Sequence, residues 1–271
     1  MPAFNSVTTN ILMRRIGTPD CPVIVDVRID ADFREDPHLI PASVRMPFDQ
    51  VQSRATELRD KEVVVVCQKG LKLSHGTAAA LRCNGVQAQV LEGGMFAWRD
   101  AGLPRLDLSR LPGNVGTSAT TWVTRHRPKV DRIACAWLIR RFVDPTARFL
   151  FVPPSEVSAV AERFEATAFD TVDAPWTHMD ELCTFDAMLR GFGLSTPALE
   201  QMATVIRAAD TDRHDLTPQA AGLLAISVGL SRAHKSDLDQ LEAGMILYDA
   251  LYRWARDGQN EHHSWSEGHG A

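Results

Sequence analysis

The sequence has few cysteines, and no two of them lie close together. The five, at positions 21, 67, 83, 135 and 183, are odd in number and scattered over 271 residues. That distribution excludes a disulfide framework. With no Cys-x-x-Cys and no His-Glu-x-x-His, the commonest zinc signatures are missing too. Long apolar runs are also lacking. The longest, GLLAISVGL from Gly222, is half a membrane span and suits a buried helix. No apolar stretch follows the first charges of MPAFNSVTTNILMRRIG, so a secretory signal is not expected and a cytoplasmic, reducing setting is. Nor is there an excess of basic charge. The 29 Lys and Arg face 34 Asp and Glu, a formal net charge of -5. Such a balance supplies no general attraction to nucleic acid or an acidic membrane, and neither is expected as a partner.

What is present points to two folded units. Hydrophobic residues make up 45% of the chain, enough for packed cores, and the length exceeds one ordinary domain. PVIVDVR (22–28), EVVVVC (62–67) and QAQVLEG (87–93) read as strands. SRATELR (53–59) and HGTAAALRCNG (75–85) read as helices between them. Alternating strands and helices predict an α/β domain over residues 1–107, with the valine run as a central parallel strand. LDLSRLPGNVGTSATT (106–121) is rich in Gly, Ser, Thr and Pro, so residues 108–120 read as a linker. A second, mostly helical α/β domain is predicted over 121–258. The polar stretch 259–271 reads as a flexible tail, with His262, His263 and His269 as weak metal contacts. The second half contains no copy of the first-half motifs.

The informative segment of the first domain is Cys67-Gln-Lys-Gly-Leu-Lys-Leu-Ser-His-Gly76. A cysteine ends a buried strand, and a glycine-containing loop leads into a helix. Backbone N–H groups of such a loop converge, and the helix N-terminus adds partial positive charge. Lys69 and Lys72 add full charges. Each feature favours a negative charge at the loop, on a thiolate or a bound anion. The plain alternative is a cysteine merely buried at a strand end.

These segments resemble the rhodanese family. IVDVR (24–28), HLIPAS (38–43) and LEGGMFAWRDAGLP (91–104) are similar to its motifs, in the right order. The resemblance implies a parallel-sheet fold and a sulfurtransferase in which Cys67 becomes persulfidated. It also implies an anion site of Lys69, Gly70, Lys72, Ser74 and Arg28, though Asp26 and Arg28 also read as a structural ion pair at the base of the loop. The family's loop runs Cys-x-x-Gly-x-Arg-Ser. Here Lys72 replaces the arginine and Leu73 intervenes before Ser74. Lysine lacks the planar fork that fits a sulfonate. The expected partners are a small anionic sulfur donor, thiosulfate or a persulfide, and a thiol or protein acceptor. Sulfur transfer requires no cofactor.

In the second half, TWVTR (121–125), ARFLFVP (147–153) and AFDTVD (168–173) read as strands, and Asp131–Phe142 as an amphipathic helix. Thr196-Pro197 and Ser236 look like helix starts. His126, Asp131, His178, Cys183 and Asp210 are candidate ligands for zinc or iron, without diagnostic spacing. Arg127, Lys129 and Arg132 are candidates for an oxyanion. TRHRPKVDRIACAWLIRRFVD (124–144), FDTVDAPWTHMDELCTFDAML (169–189) and AADTDRHDLTPQAAGLLAISVGL (208–230) resemble the C-terminal domain of the chromate-resistance protein family. That resemblance implies an alternative function, an oxyanion- or metal-binding sensor or resistance protein, with chromate as a candidate ligand.

Overall fold

The computed structural model describes residues 5–261. Residues 262–271 of the expected tail, with its three histidines, lie outside them.

The first half runs β1 (Ser6–Val7), α1 (Thr9–Arg15), β2 (Val23–Asp26), α2 (Asp30–Glu35), β3 (His38–Leu39), β4 (Ser43–Arg45), α3 (Phe48–Val51), α4 (Ala55–Leu58), β5 (Glu62–Val66), α5 (Lys72–Cys83), β6 (Gln87–Leu91), α6 (Gly94–Asp100) and β7 (Leu106–Asp107). Five strands form a parallel sheet in the order β1-β6-β5-β2-β4. β5 is central, and its four valines, Val63 to Val66, are all buried. A strand covered on both faces needs such a run rather than an alternating pattern. β3 and β7 form a separate antiparallel ribbon. Parallel order brings the C-terminal ends of β2 and β5 side by side, which places Asp26–Arg28 next to the loop after Cys67.

The second half runs β8 (Thr121–Arg125), α7 (Asp131–Leu138), β9 (Arg148–Val152), α8 (Val157–Arg163), β10 (Thr167–Ala168), α9 (Thr184–Phe192), α10 (Pro197–Asp210), α11 (Gln219–Ala233) and α12 (Asp237–Arg253). Its three strands form a parallel sheet ordered β10-β8-β9. The side chains of Thr196 and Ser236 cap α10 and α12 as their types predict. Two expectations need correction. AFDTVD is not a strand: pairing stops after Phe169, Asp170 adopts φ +50°, and Val172 is 84% exposed. The GLLAISVGL helix forms as α11, but it lies at the surface, with Ile226 and Val228 exposed and Leu223 and Ser227 buried.

The two halves share a core. Leu12 and Ile16 of the first belong to the same hydrophobic cluster as Trp137, Phe142 and Tyr252 of the second. Those three rings pack with centroids 5.5–5.6 Å apart. The joining segment 108–120 takes part: Leu111 and Val115 are buried, and the Arg45 N–H donates to the Gly116 carbonyl. Gly17 sits at the seam with φ +82°, and a Cβ there would lie 2.3 Å from Phe142 and 2.8 Å from Tyr252. Left-handed strain and overpacking together predict that Gly17→Ala lowers stability by about 2–4 kcal/mol. Urea unfolding followed by tryptophan fluorescence checks this. An unchanged midpoint would show that the seam yields.

Candidate functional site

Cys67 follows the last residue of β5 and is buried, 5% exposed. The Ser74 hydroxyl donates to its Sγ at 2.7 Å. α5 begins at Lys72, so Ser74 falls in the helix's first turn and its side chain reaches back to the strand end. Among the described residues, none of the seven backbone N–H groups from Gln68 to Ser74 donates to a protein acceptor. Successive free amides at a loop and helix N-terminus form an anion-binding concavity.

The loop is held from behind by α6. The Met95 and Phe96 N–H groups donate to the Cys67 and Gln68 carbonyls at 3.0 Å. This contact requires two backbones to touch. A Cβ on Gly94 would lie 2.2 Å from the Cys67 carbonyl oxygen, and one on Gly70 would lie 2.6 Å from that of Leu91. Both glycines have positive φ. They therefore set the loop's shape rather than contact a ligand through side chains. Gln68 ties the loop to α2 through Glu35. Lys69 and Lys72 are exposed, with no carboxylate partner among the described residues.

A second group of polar side chains gathers where β8 and β10 end. Asp131 opens α7, Asp170 follows the last paired residue after β10, His178 lies in the loop before α9, and Asp210 ends α10. His178 Nε2 lies 3.6, 3.4 and 3.3 Å from carboxylate oxygens of Asp131, Asp170 and Asp210. Ligand atoms of Asp131, Asp170 and His178 all lie within 4.8 Å of one another, a grouping able to hold a metal ion. The carboxylates are braced from outside. Asp131 accepts the Thr184 and Phe185 N–H groups at 2.8 and 2.9 Å, thereby capping α9. Asp170 accepts from Arg132, Arg125 and the Thr184 hydroxyl. Asp131 and Asp170 beside His178 push its imidazole up to about 10. Burial, with Asp131 and Asp170 nearby, pushes Asp210 up to about 6.

Residues 8–101 match the family model of the rhodanese-like domain, and residues 122–255 that of the ChrB C-terminal domain. The chain is a rhodanese-like domain followed by a ChrB C-terminal domain. Protein ChrB of Cupriavidus metallidurans is 32% identical over 151 residues, which cover 55% of this chain and 43% of that protein. The matched region thus spans less than half the length of ChrB. A sulfurtransferase of Allochromatium vinosum is 26% identical over 101 residues, 37% of this chain and 92% of that protein. A solved rhodanese-like domain protein from Staphylococcus aureus is 31% identical, covering 35% of this chain and 91% of its own, with a TM-score of 0.31.

Within the rhodanese-like domain, Cys67, Gly70 and Ser74 come together as one loop. Arg28 does not join them and is a correction. Its side chain is fully buried, and its guanidinium is spent on both Asp26 oxygens and the carbonyls of Asp36 and His38. Those contacts leave it bracing the strand ends.

Within the ChrB C-terminal domain, the candidate metal set divides. Asp131, His178 and Asp210 converge. Cys183 does not: its buried thiol donates to Asp186, whose carboxylate also takes the Cys183 N–H, so the pair caps α9. Burial holds that thiol well above its ordinary range. His126 is exposed and belongs to no metal-holding group among the described residues. Sequence reasoning missed Asp170. The signal was its setting, an aspartate between a strand and Asp173-Ala-Pro, where turn chemistry competes with a strand reading.

The oxyanion candidates are placed differently from one another. Arg132 is engaged by Asp170 and by the His126 and Arg127 carbonyls, and Arg127 by Ser231. Lys129 is exposed by itself. Arg132 is thus charge-paired with Asp170, while Arg127 gives only Nη2 to Ser231.

Among the described residues, no helix is long and apolar enough to cross a membrane.

Proposed function

We propose that the chain carries sulfane sulfur on Cys67. The thiolate attacks the outer sulfur of a donor. The donor's S–S bond breaks, and sulfite leaves from thiosulfate, or a thiol from a persulfide. Cys67 then holds a persulfide, whose terminal sulfur passes to an acceptor nucleophile and leaves the thiolate restored. The observation that carries this reading is the loop itself. A cysteine bonded to Ser74 is followed by seven backbone donors free to hold the donor's charge. No general base is needed, since a thiolate attacks sulfur directly. The matching rhodanese-like family and the similar sulfurtransferase support the same class of chemistry.

The donor preferred is a low-molecular-weight persulfide rather than thiosulfate. Lys72 stands exposed at the first position of α5, and its ammonium cannot fork onto a sulfonate as a guanidinium does. Thiocyanate formation with cyanide as acceptor tests both parts. Turnover is expected to be faster from the persulfide, to disappear in Cys67→Ser, and to shift toward thiosulfate in Lys72→Arg. Equal turnover of wild type and Cys67→Ser would remove the proposal. Equal use of both donors would remove only the preference.

The alternative, an oxyanion or chromate sensor built on Arg127, Lys129 and Arg132, has less support because two of those side chains are already engaged. The ChrB C-terminal domain contributes instead through its acidic cluster around His178.

A further inference from the structure

We infer that Asp131, Asp170, His178 and Asp210 form a binding site for one divalent first-row metal cation, separate from Cys67 and independent of its sulfur chemistry. Asp131, Asp170 and His178 place ligand atoms within 4.8 Å of one another, and Asp210 stands at the edge of that group, 3.3 Å from His178 Nε2. The group lies beyond the C-terminal ends of parallel strands β8 and β10, the usual position of a ligand in an open α/β sheet. Arg125 and Arg132 offset the charge of Asp170, which leaves the carboxylates of Asp131 and Asp210 beside the imidazole to balance a divalent cation.

The outer contacts are those of a prepared site. Two backbone amides orient Asp131, and Arg125, Arg132 and Thr184 orient Asp170. Ligating carboxylates need such bracing to hold their geometry.

The donor set selects the class of metal. Neither Cys135 nor Cys183 belongs to the grouping, the Cys183 thiol being turned to Asp186, so the donors are one nitrogen and carboxylate oxygens. A closed structural zinc site uses thiolates and imidazoles, whereas carboxylates and water suit Mn(II) or Fe(II) with six ligands. The His178 side chain is 42% exposed and that of Asp210 23% exposed, so solvent reaches the remaining positions.

Titration of the chelator-treated full chain with Mn(II), followed by the loss of the free-ion electron paramagnetic resonance signal, tests the site. One equivalent is expected to bind. His178→Ala and Asp210→Asn, both at the solvent edge, are each expected to weaken binding at least about 10-fold, while exposed Asp212→Asn leaves it unchanged. Both variants should still load sulfur on Cys67, and Cys67→Ser should still bind the metal. Thermal melts without metal establish that the variants fold. The inference is overturned by absence of saturable Mn(II) binding with none for Fe(II) either, or by binding that survives both substitutions.

Discussion

Replacing Arg28 by leucine is expected to lower the unfolding free energy by about 3–5 kcal/mol. The Arg28 and Asp26 side chains are 0% and 2% exposed, and they meet through Nε and Nη2. Leucine would leave the Asp26 carboxylate buried without its counter-charge. It would also orphan the Asp36 and His38 carbonyls that Arg28 now serves. The loss comes mainly from the stranded partner, so the double variant Arg28→Leu with Asp26→Leu should recover much of it. Urea unfolding of the four proteins in that cycle measures the effect. A loss below about 1 kcal/mol, accompanied by failure to load sulfur, would put Arg28 back at the substrate.

The second large effect is on chemistry. Cys67→Ser is expected to reduce sulfur transfer to the uncatalysed background, because a serine hydroxyl at that position has no base to activate it. Ser74→Ala is expected to slow loading about 10-fold, or ~1.4 kcal/mol, by removing the hydrogen bond to the sulfur. Stability should change little in either variant relative to Arg28→Leu. Single-turnover loading followed by mass separates the two cases. A Ser74→Ala protein that loads at the wild-type rate would show that the free amides of residues 68–74 suffice.

The parts of this molecule legible in its sequence are those where one physical demand dominates. A sheet strand covered on both faces demands a valine run, and β5 has one. A loop pressed against another backbone demands glycine, and Gly70 and Gly94 supply it. The inserted Leu73 does not carry Ser74 away, since α5 starts at Lys72 and returns Ser74 to the sulfur. The harder readings were at residues with two plausible uses. Arg28 is two positions from Asp26, so on a strand their side chains share a face and pair. The pair with Asp26 was legible, whereas the substrate contact implied by the rhodanese resemblance is one that its burial forbids. Cys183 with Asp186 three residues later has the spacing of a capping box, which competes with a metal role. Asp170 was hidden because the apolar residues around it mimic a strand, while its own positive φ breaks the ladder. The assembly of Asp131, Asp170, His178 and Asp210 depends on tertiary packing of segments up to 79 residues apart, and no local pattern announces it.

The most direct measurement is the intact mass of the reduced full chain after exposure to a low-molecular-weight persulfide, with Cys67→Ser beside it and cyanide added last. The account predicts a gain of one sulfur, ~32 Da, in the wild type only, lost again on cyanide treatment as thiocyanate. A sulfur adduct that persists in Cys67→Ser, or no adduct in the wild type, would contradict it.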